Sequence, residues 1–418
     1  MDRLIGLVGI GVLFGVAYAV SSNRKAIRWR IVGWGIVLQL AFALFVLKLE
    51  FGQRALSAVA TGVTALIGFA DEGGKFVFGW LAVHPETFGI QGTGSSGFVF
   101  AFKVLPIVIF ISSFFTCLYY LGIMQLVVLG MAKTMKRFMG VSGAESLAAA
   151  ANVFMGQTEA PIIIGPYIPE MTYSELMALM TGGMATVSGA ILGGYIGLGI
   201  NAEYLIAASV MAAPASLMMA KMIIPETEVS KTAGEVTLKV KRTDANIIDA
   251  AARGAGKGLT LALNIATMLI AFISIIYLLN GVLTWAGRVS GVEAWLGAQL
   301  TMQLVLGYVL SPLAFIMGVP WQDATQVGQL IGVKVVINEF VAYTELASLK
   351  VGLQAKSELI ATFALCGFAN FSSIGIQIGG IGGLAPGRKS ELARLGLRAV
   401  LAGGMASLMT ATLAGMLT

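Results

Sequence analysis

Apolar residues in this chain fall into runs of about twenty, the length that crosses a bilayer core, with the polar positions between them. Runs at 4–21, 31–49, 102–131, 202–224, 258–285 and 397–418 read as full spans. Two further spans, around 182–194 and 366–380, are interrupted by small and polar residues, which predicts eight crossings. Residues 52–100 are less apolar. They read as an interfacial helix over 55–69 and then an outward-facing loop holding Asp71, Glu72, the solvated His84 and the polar run 91–97.

Two regions are too polar to face lipid. Residues 142–169 centre on Asn152-Val-Phe-Met-Gly-Gln157-Thr158-Glu159-Ala-Pro161, and residues 322–350 centre on Asn338-Glu339-Phe340-Val-Ala-Tyr343. The arms either side of each centre are long enough for a hairpin that enters halfway, and too short for two crossings. Each hairpin precedes one of the interrupted spans. Setting Gly183 on Gly367 pairs Ala185 with Ala369, Thr186 with Asn370 and Ser188 with Ser372. Three crossings separate the hairpins, so the second enters from the opposite side. Such an inverted repeat of broken helices builds a mid-membrane binding site in secondary transporters, and irregular backbone at that depth needs protein or a watery cavity around it.

Composition agrees. Charged residues are 11% of the 418, against about 25% in a soluble domain, and hydrophobic residues are 57%. Mean hydropathy is +0.87. These values exclude a disordered chain, a nucleic-acid-binding domain and a secreted disulfide framework. The net charge of +6 comes from short clusters between apolar runs. These are Arg24, Lys25, Arg28 and Arg30; Lys133, Lys136 and Arg137; Lys231, Lys239, Lys241, Arg242, Arg253 and Lys257; and Arg388, Lys389, Arg394 and Arg398. The positive-inside rule puts all four clusters on the cytoplasmic face and both termini outside, and the clusters are consistent with one another. The first run has no small-residue cleavage site and reads as a retained span. Cys117, Cys366 and one histidine offer no zinc spacing.

An ionised group at the bilayer centre costs about 2.5–3.5 kcal/mol on insertion scales, so Glu159 and Glu339 call for a function. Gln157, Thr158 and Asn338 flank them, and Thr186, Ser188, Asn370, Ser372 and Ser373 lie in the broken spans. A pocket with these neutral donors and acceptors, two acids and no Lys or Arg suits an uncharged hydroxyl- or amide-bearing solute. Ile191, Phe368 and Phe371 could wall a flat ring. Ser, Thr, Asn and Gln also glue membrane helices together, which is the plainer role for Ser188 or Ser372. Glu145, Glu175 and Glu358 read as helix-end charges at the interface. No nucleophile–base pair suggests an enzyme.

Gly-Gln-Thr-Glu-Ala-Pro at 156–161 with Asn152, Ser-Pro-Leu-Ala-Phe-Ile-Met-Gly-Val-Pro-Trp at 311–321, Gly332-x-Lys334-x-x-x-Asn338-Glu-Phe-Val-Ala-Tyr343, and Cys-Gly-Phe-Ala-Asn-Phe-Ser-Ser-Ile at 366–374 resemble the concentrative nucleoside transporter family. The similarity is clear over 102–390. It implies an all-α integral membrane protein with eight transmembrane helices, two re-entrant hairpins and interfacial helices. It further implies an elevator-type transport domain on a trimeric scaffold, in a bacterial inner membrane. Residues 1–141 and 226–321 would form the scaffold, and 142–225 and 322–418 the two repeats. The activity implied is sodium-driven import of nucleosides such as uridine, cytidine or adenosine. Gln157, Thr158, Glu159 and Ile191 would hold the base, Glu339, Asn370 and Ser373 the ribose, and Phe368 would form a wall. Sodium would bind Asn152, Met155, Thr186 and Val187; the family pattern expects serine at 186, and threonine keeps the hydroxyl. No other cofactor and no nucleic acid is implied. Proton coupling, or a channel or unrelated neutral-solute permease on similar geometry, stands as the alternative.

Overall fold

The computed structural model describes residues 2–82, 99–234 and 244–418. His84, the 91–97 run, Lys239, Lys241 and Arg242 lie outside the described residues. Among the described residues every regular element is a helix. The chain opens with α1 (Asp2–Val20), α2 (Trp29–Lys48), α3 (Glu50–Phe78), α4 (Phe100–Tyr120) and α5 (Ile123–Met139). Next come α6 (Gly143–Asn152), the single turn α7 (Ala160–Ile163), α8 (Tyr173–Ala185), α9 (Gly189–Gly197) and α10 (Ala202–Ile223). Then follow α11 (Ile247–Val289), α12 (Val292–Leu296), α13 (Met302–Ile316), α14 (Trp321–Val336) and α15 (Glu339–Leu349). The chain closes with α16 (Ala355–Leu365), α17 (Phe371–Leu384) and α18 (Lys389–Leu417).

The hairpin, broken-helix, helix order occurs twice, as α6 to α10 and as α14 to α18. In the first hairpin Pro161, Pro166 and Pro169 keep the return arm to one α-turn and a 3-10 stretch, Gly165–Glu170, because proline removes a helix donor and crowds the preceding turn. The second hairpin keeps 16- and 11-residue arms. The broken helices α8 and α16 and the unbroken α10 all pack on α18. Among the described residues, these segments hold the densest run of fully buried residues.

Among the described residues, seven helices are long and apolar enough to cross a membrane. Six of them match expected spans, the pair α8–α9 counting as one. The seventh is α3, where the sequence predicts a short interfacial helix and a loop. A single 29-residue helix runs through Asp71 and Glu72 instead, and Lys103 of α4 pairs with Asp71 at 2.6 Å. The expected run at 102–131 is also corrected. It breaks at Gly122, whose φ of 85° ends α4 and frees α5 as a separate amphipathic helix. The polar stretch 226–257 is partly helical, since α11 starts at Ile247, capped by Asn246 accepting from the Asp249 N–H at 2.9 Å.

Glu145 and Glu175 do start helices, each closing a capping box with Ser142 or Thr172. Neither is an exposed interfacial charge: they are 2% and 0% exposed. Lys221 on α10 pairs with Glu145 and with Glu226, while Ser230 and Thr232 each donate to Glu175 at 2.5 Å. The segment after α10 therefore straps the base of the first hairpin.

Candidate functional site

Both broken helices open in mid-element. Between α8 and α9 the break is three residues, 186–188, and between α16 and α17 it is five, 366–370. The N-caps of the distal halves are Ser188 and Asn370. Cap matches cap, so Asn370 is equivalent to Ser188 and not to Thr186; the two residues of slack lie inside the break. By the same register Ile191 and Ser373 occupy matching positions, three residues after their caps. Gly367, at φ 142°, brings the breaks together: a side chain there would come within 2.9 Å of the Ala185 carbonyl. Only glycine tolerates both that conformation and that approach.

Glu339 starts α15, behind the N-cap Asn338, whose Oδ1 accepts from the Val341 N–H at 2.9 Å. A helix N-terminus is a favourable place for a carboxylate. Glu339 is 5% exposed. Its Oε1 accepts from the Tyr195 hydroxyl at 3.1 Å and its Oε2 from Asn370 Nδ2 at 2.9 Å. Asn370 Oδ1 in turn accepts from the Ser373 N–H at 2.9 Å and from the Ser372 hydroxyl at 2.8 Å. Across the repeat, Gln157 Nε2 donates to Ser373 Oγ at 3.1 Å, and Gln377 Nε2 donates to Gln157 Oε1 at 3.1 Å. The two hairpin tips are thus joined through the start of α17.

Of the expected site residues, Gln157, Glu339, Asn370 and Ser373 lie in this single network. Ile191 and Phe368 are buried, whereas Phe371 is half exposed and adds nothing to a buried wall. Thr158 packs against Gly380. Glu159 is not on the chain of bonds; its Oε2 accepts from the Gly156 N–H of its own hairpin at 3.3 Å. Both carboxylates and Gln157 keep lone pairs beyond the bonds described, so a solute rich in hydroxyl and amide groups can be held.

Asn152 closes α6 and is 1% exposed. Among the described residues, neither its Oδ1 nor its Nδ2 has a hydrogen-bond partner, an arrangement that native interiors avoid unless something else satisfies it. Thr186 lies at the break, φ −118° and ψ 167°, and its hydroxyl donates to the Gly182 carbonyl at 2.8 Å, leaving oxygen lone pairs. The Val187 carbonyl lies in the same extended stretch and Met155 in the turn after α6. Amide, hydroxyl and carbonyl oxygens are what a hard cation takes.

Sequence reasoning missed three residues. Tyr195 is fully buried beside Glu339, signalled only as the one polar-tipped aromatic in an apolar, glycine-rich run. Gln377 bridges Gln157 and the Met180 carbonyl, the latter at 3.0 Å. The third, Lys334, is 2% exposed and donates to the Ala364 carbonyl at 2.8 Å, at the end of α16 where a positive charge is favoured.

Models of known families match most of the chain: Na+ dependent nucleoside transporter N-terminus over 8–81, nucleoside recognition (Gate) over 101–202, and Na+ dependent nucleoside transporter C-terminus over 204–415. An uncharacterized transporter of Haemophilus influenzae is 46% identical, covering 100% of this chain and 98% of that protein. The nucleoside permease NupC of Helicobacter pylori is 43% identical, covering 99% and 98%. CNTnw, solved in an inward-facing substrate-bound state, superposes with a TM-score of 0.92 at 42% identity, covering all of both chains. The chain belongs to the sodium-dependent nucleoside transporters, a multi-pass membrane family of transporters and not enzymes, with sodium as coupling ion.

Proposed function

We propose that this protein imports nucleosides such as uridine, cytidine or adenosine, holding the ribose on Glu339, Asn370 and Ser373. The base lies against Gln157, Thr158, Glu159 and Ile191, with Phe368 as a wall. One observation carries this reading: a buried carboxylate, held at both oxygens, is linked by hydrogen bonds to the amide at the tip of the other hairpin. Ribose hydroxyls donating to that carboxylate make charge-assisted bonds of about 1.5–3 kcal/mol each. Sodium binds the orphaned Asn152 amide oxygen with Met155, Thr186 and Val187, the last two lying in the break that also carries Ser188.

The two repeats, 142–225 and 322–418, form the moving unit. The remaining segments form a scaffold that associates as a homotrimer in the bacterial inner membrane, both termini periplasmic. CNTnw has been solved in inward-facing, intermediate and outward-facing states, which supports an elevator-like passage for this relative. The test is uptake of labelled uridine by Glu339→Gln. Loss of uptake with assembly intact is expected; normal uptake refutes the ribose assignment. Replacing external sodium by a large organic cation is expected to stop uptake in the native protein.

A further inference from the structure

Tyr195 belongs to the first repeat, yet its ring and hydroxyl reach the second hairpin. The ring lies 4.3 Å from that of Tyr343, centre to centre, and meets Phe340 edge-on at 5.1 Å. Tyr343 is itself fixed, its hydroxyl donating to the Thr362 carbonyl at 2.7 Å. Phenylalanine would fill the same aromatic layer. The hydroxyl adds a desolvation cost unless it is bonded, and the acceptor it takes is Glu339 Oε1. Asn370 takes the other oxygen. The carboxylate is thereby held by one donor from each repeat.

The geometry points to Tyr195 as a positioning residue that fixes the Glu339 carboxylate and so sets the preference for ribonucleosides over deoxyribonucleosides. This rests on the reading of Glu339 as the acceptor of ribose hydroxyls. With both oxygens pinned, the remaining lone pairs point at fixed places, and a ribose binds without first ordering the acid. Without the Tyr195 hydroxyl, Oε1 loses its anchor and the carboxylate can turn about its own axis. The penalty falls on substrates that use those lone pairs and spares an analogue that lacks the hydroxyl.

The test is Tyr195→Phe, which keeps the ring, assayed in proteoliposomes with uridine, 2′-deoxyuridine and 3′-deoxyuridine. The KM for uridine is expected to rise about tenfold, equivalent to about 1.4 kcal/mol, with Vmax changed less than about twofold. The KM for the deoxy analogue that the native protein disfavours most changes less than about threefold, so the preference shrinks. A preserved preference overturns the inference, whether both KM values rise together or Vmax alone falls, since a merely structural tyrosine would act in those ways. If uptake is too slow to measure, the same ratio is read from displacement of bound labelled uridine by each analogue on detergent-solubilised protein. Glu339→Gln, read by that displacement, separates the two failures. If it retains the native preference, the ribose assignment falls and the inference with it. If it loses the preference while Tyr195→Phe retains it, only the role of Tyr195 falls.

Discussion

Asn370 shows how much one side chain does at this site. Its carbonyl oxygen caps α17 by accepting from the Ser373 N–H, while its amide nitrogen donates to Glu339. The residue that starts the helix therefore also aims the acid. Asn152, the residue that ends α6, has the reverse condition, a buried amide with neither atom bonded. If sodium completes it, Asn152→Ala removes a ligand and little else. We expect native protein in detergent to gain thermal stability as sodium is added, by about 2.7 kcal/mol at a hundredfold excess over Kd. Asn152→Ala should gain almost none while unfolding near the native temperature in sodium-free buffer. A variant that responds to sodium as the native protein does would remove Asn152 from the ion site.

At the scale of elements, the hairpins are only as well placed as their bases. Glu145, Glu226 and Lys221 are each at least nine-tenths buried and tie α6, α10 and the following segment together. Lys221→Met strands two buried carboxylates, and breaking such a pair costs about 3–5 kcal/mol. A fall in unfolding temperature is expected, partly restored by adding Glu145→Gln; no fall would mean that the strap is not structural. The hairpins, the broken helices and the repeat were legible in the sequence because polar centres in apolar runs have few other uses at membrane depth. The split at Gly122 was hidden because an amphipathic helix following a span reads as more of the same apolar run. The length of α3 was hidden because Lys103, 32 residues from Asp71 in sequence, makes that acid tolerable in a helix. Tyr195 and Gln377 escaped notice for a related reason: each lies in an apolar run and acquires its role from a partner in the other repeat.

Over the whole molecule, two broken helices meet at Gly367 and two hairpin tips meet through Gln157, Ser373 and Asn370. A site assembled from both repeats and filled by an uncharged solute needs its driving force from elsewhere. One sodium ion entering down about 100 mV supplies about 2.3 kcal/mol, nearly fiftyfold accumulation before its own gradient is counted. The most direct measurement imposes sodium and proton gradients separately on proteoliposomes and follows labelled uridine. Accumulation above the external concentration under the sodium gradient alone, as unchanged uridine, is the predicted result. Accumulation that follows the proton gradient instead, or uptake that never exceeds equilibrium under either, would contradict it.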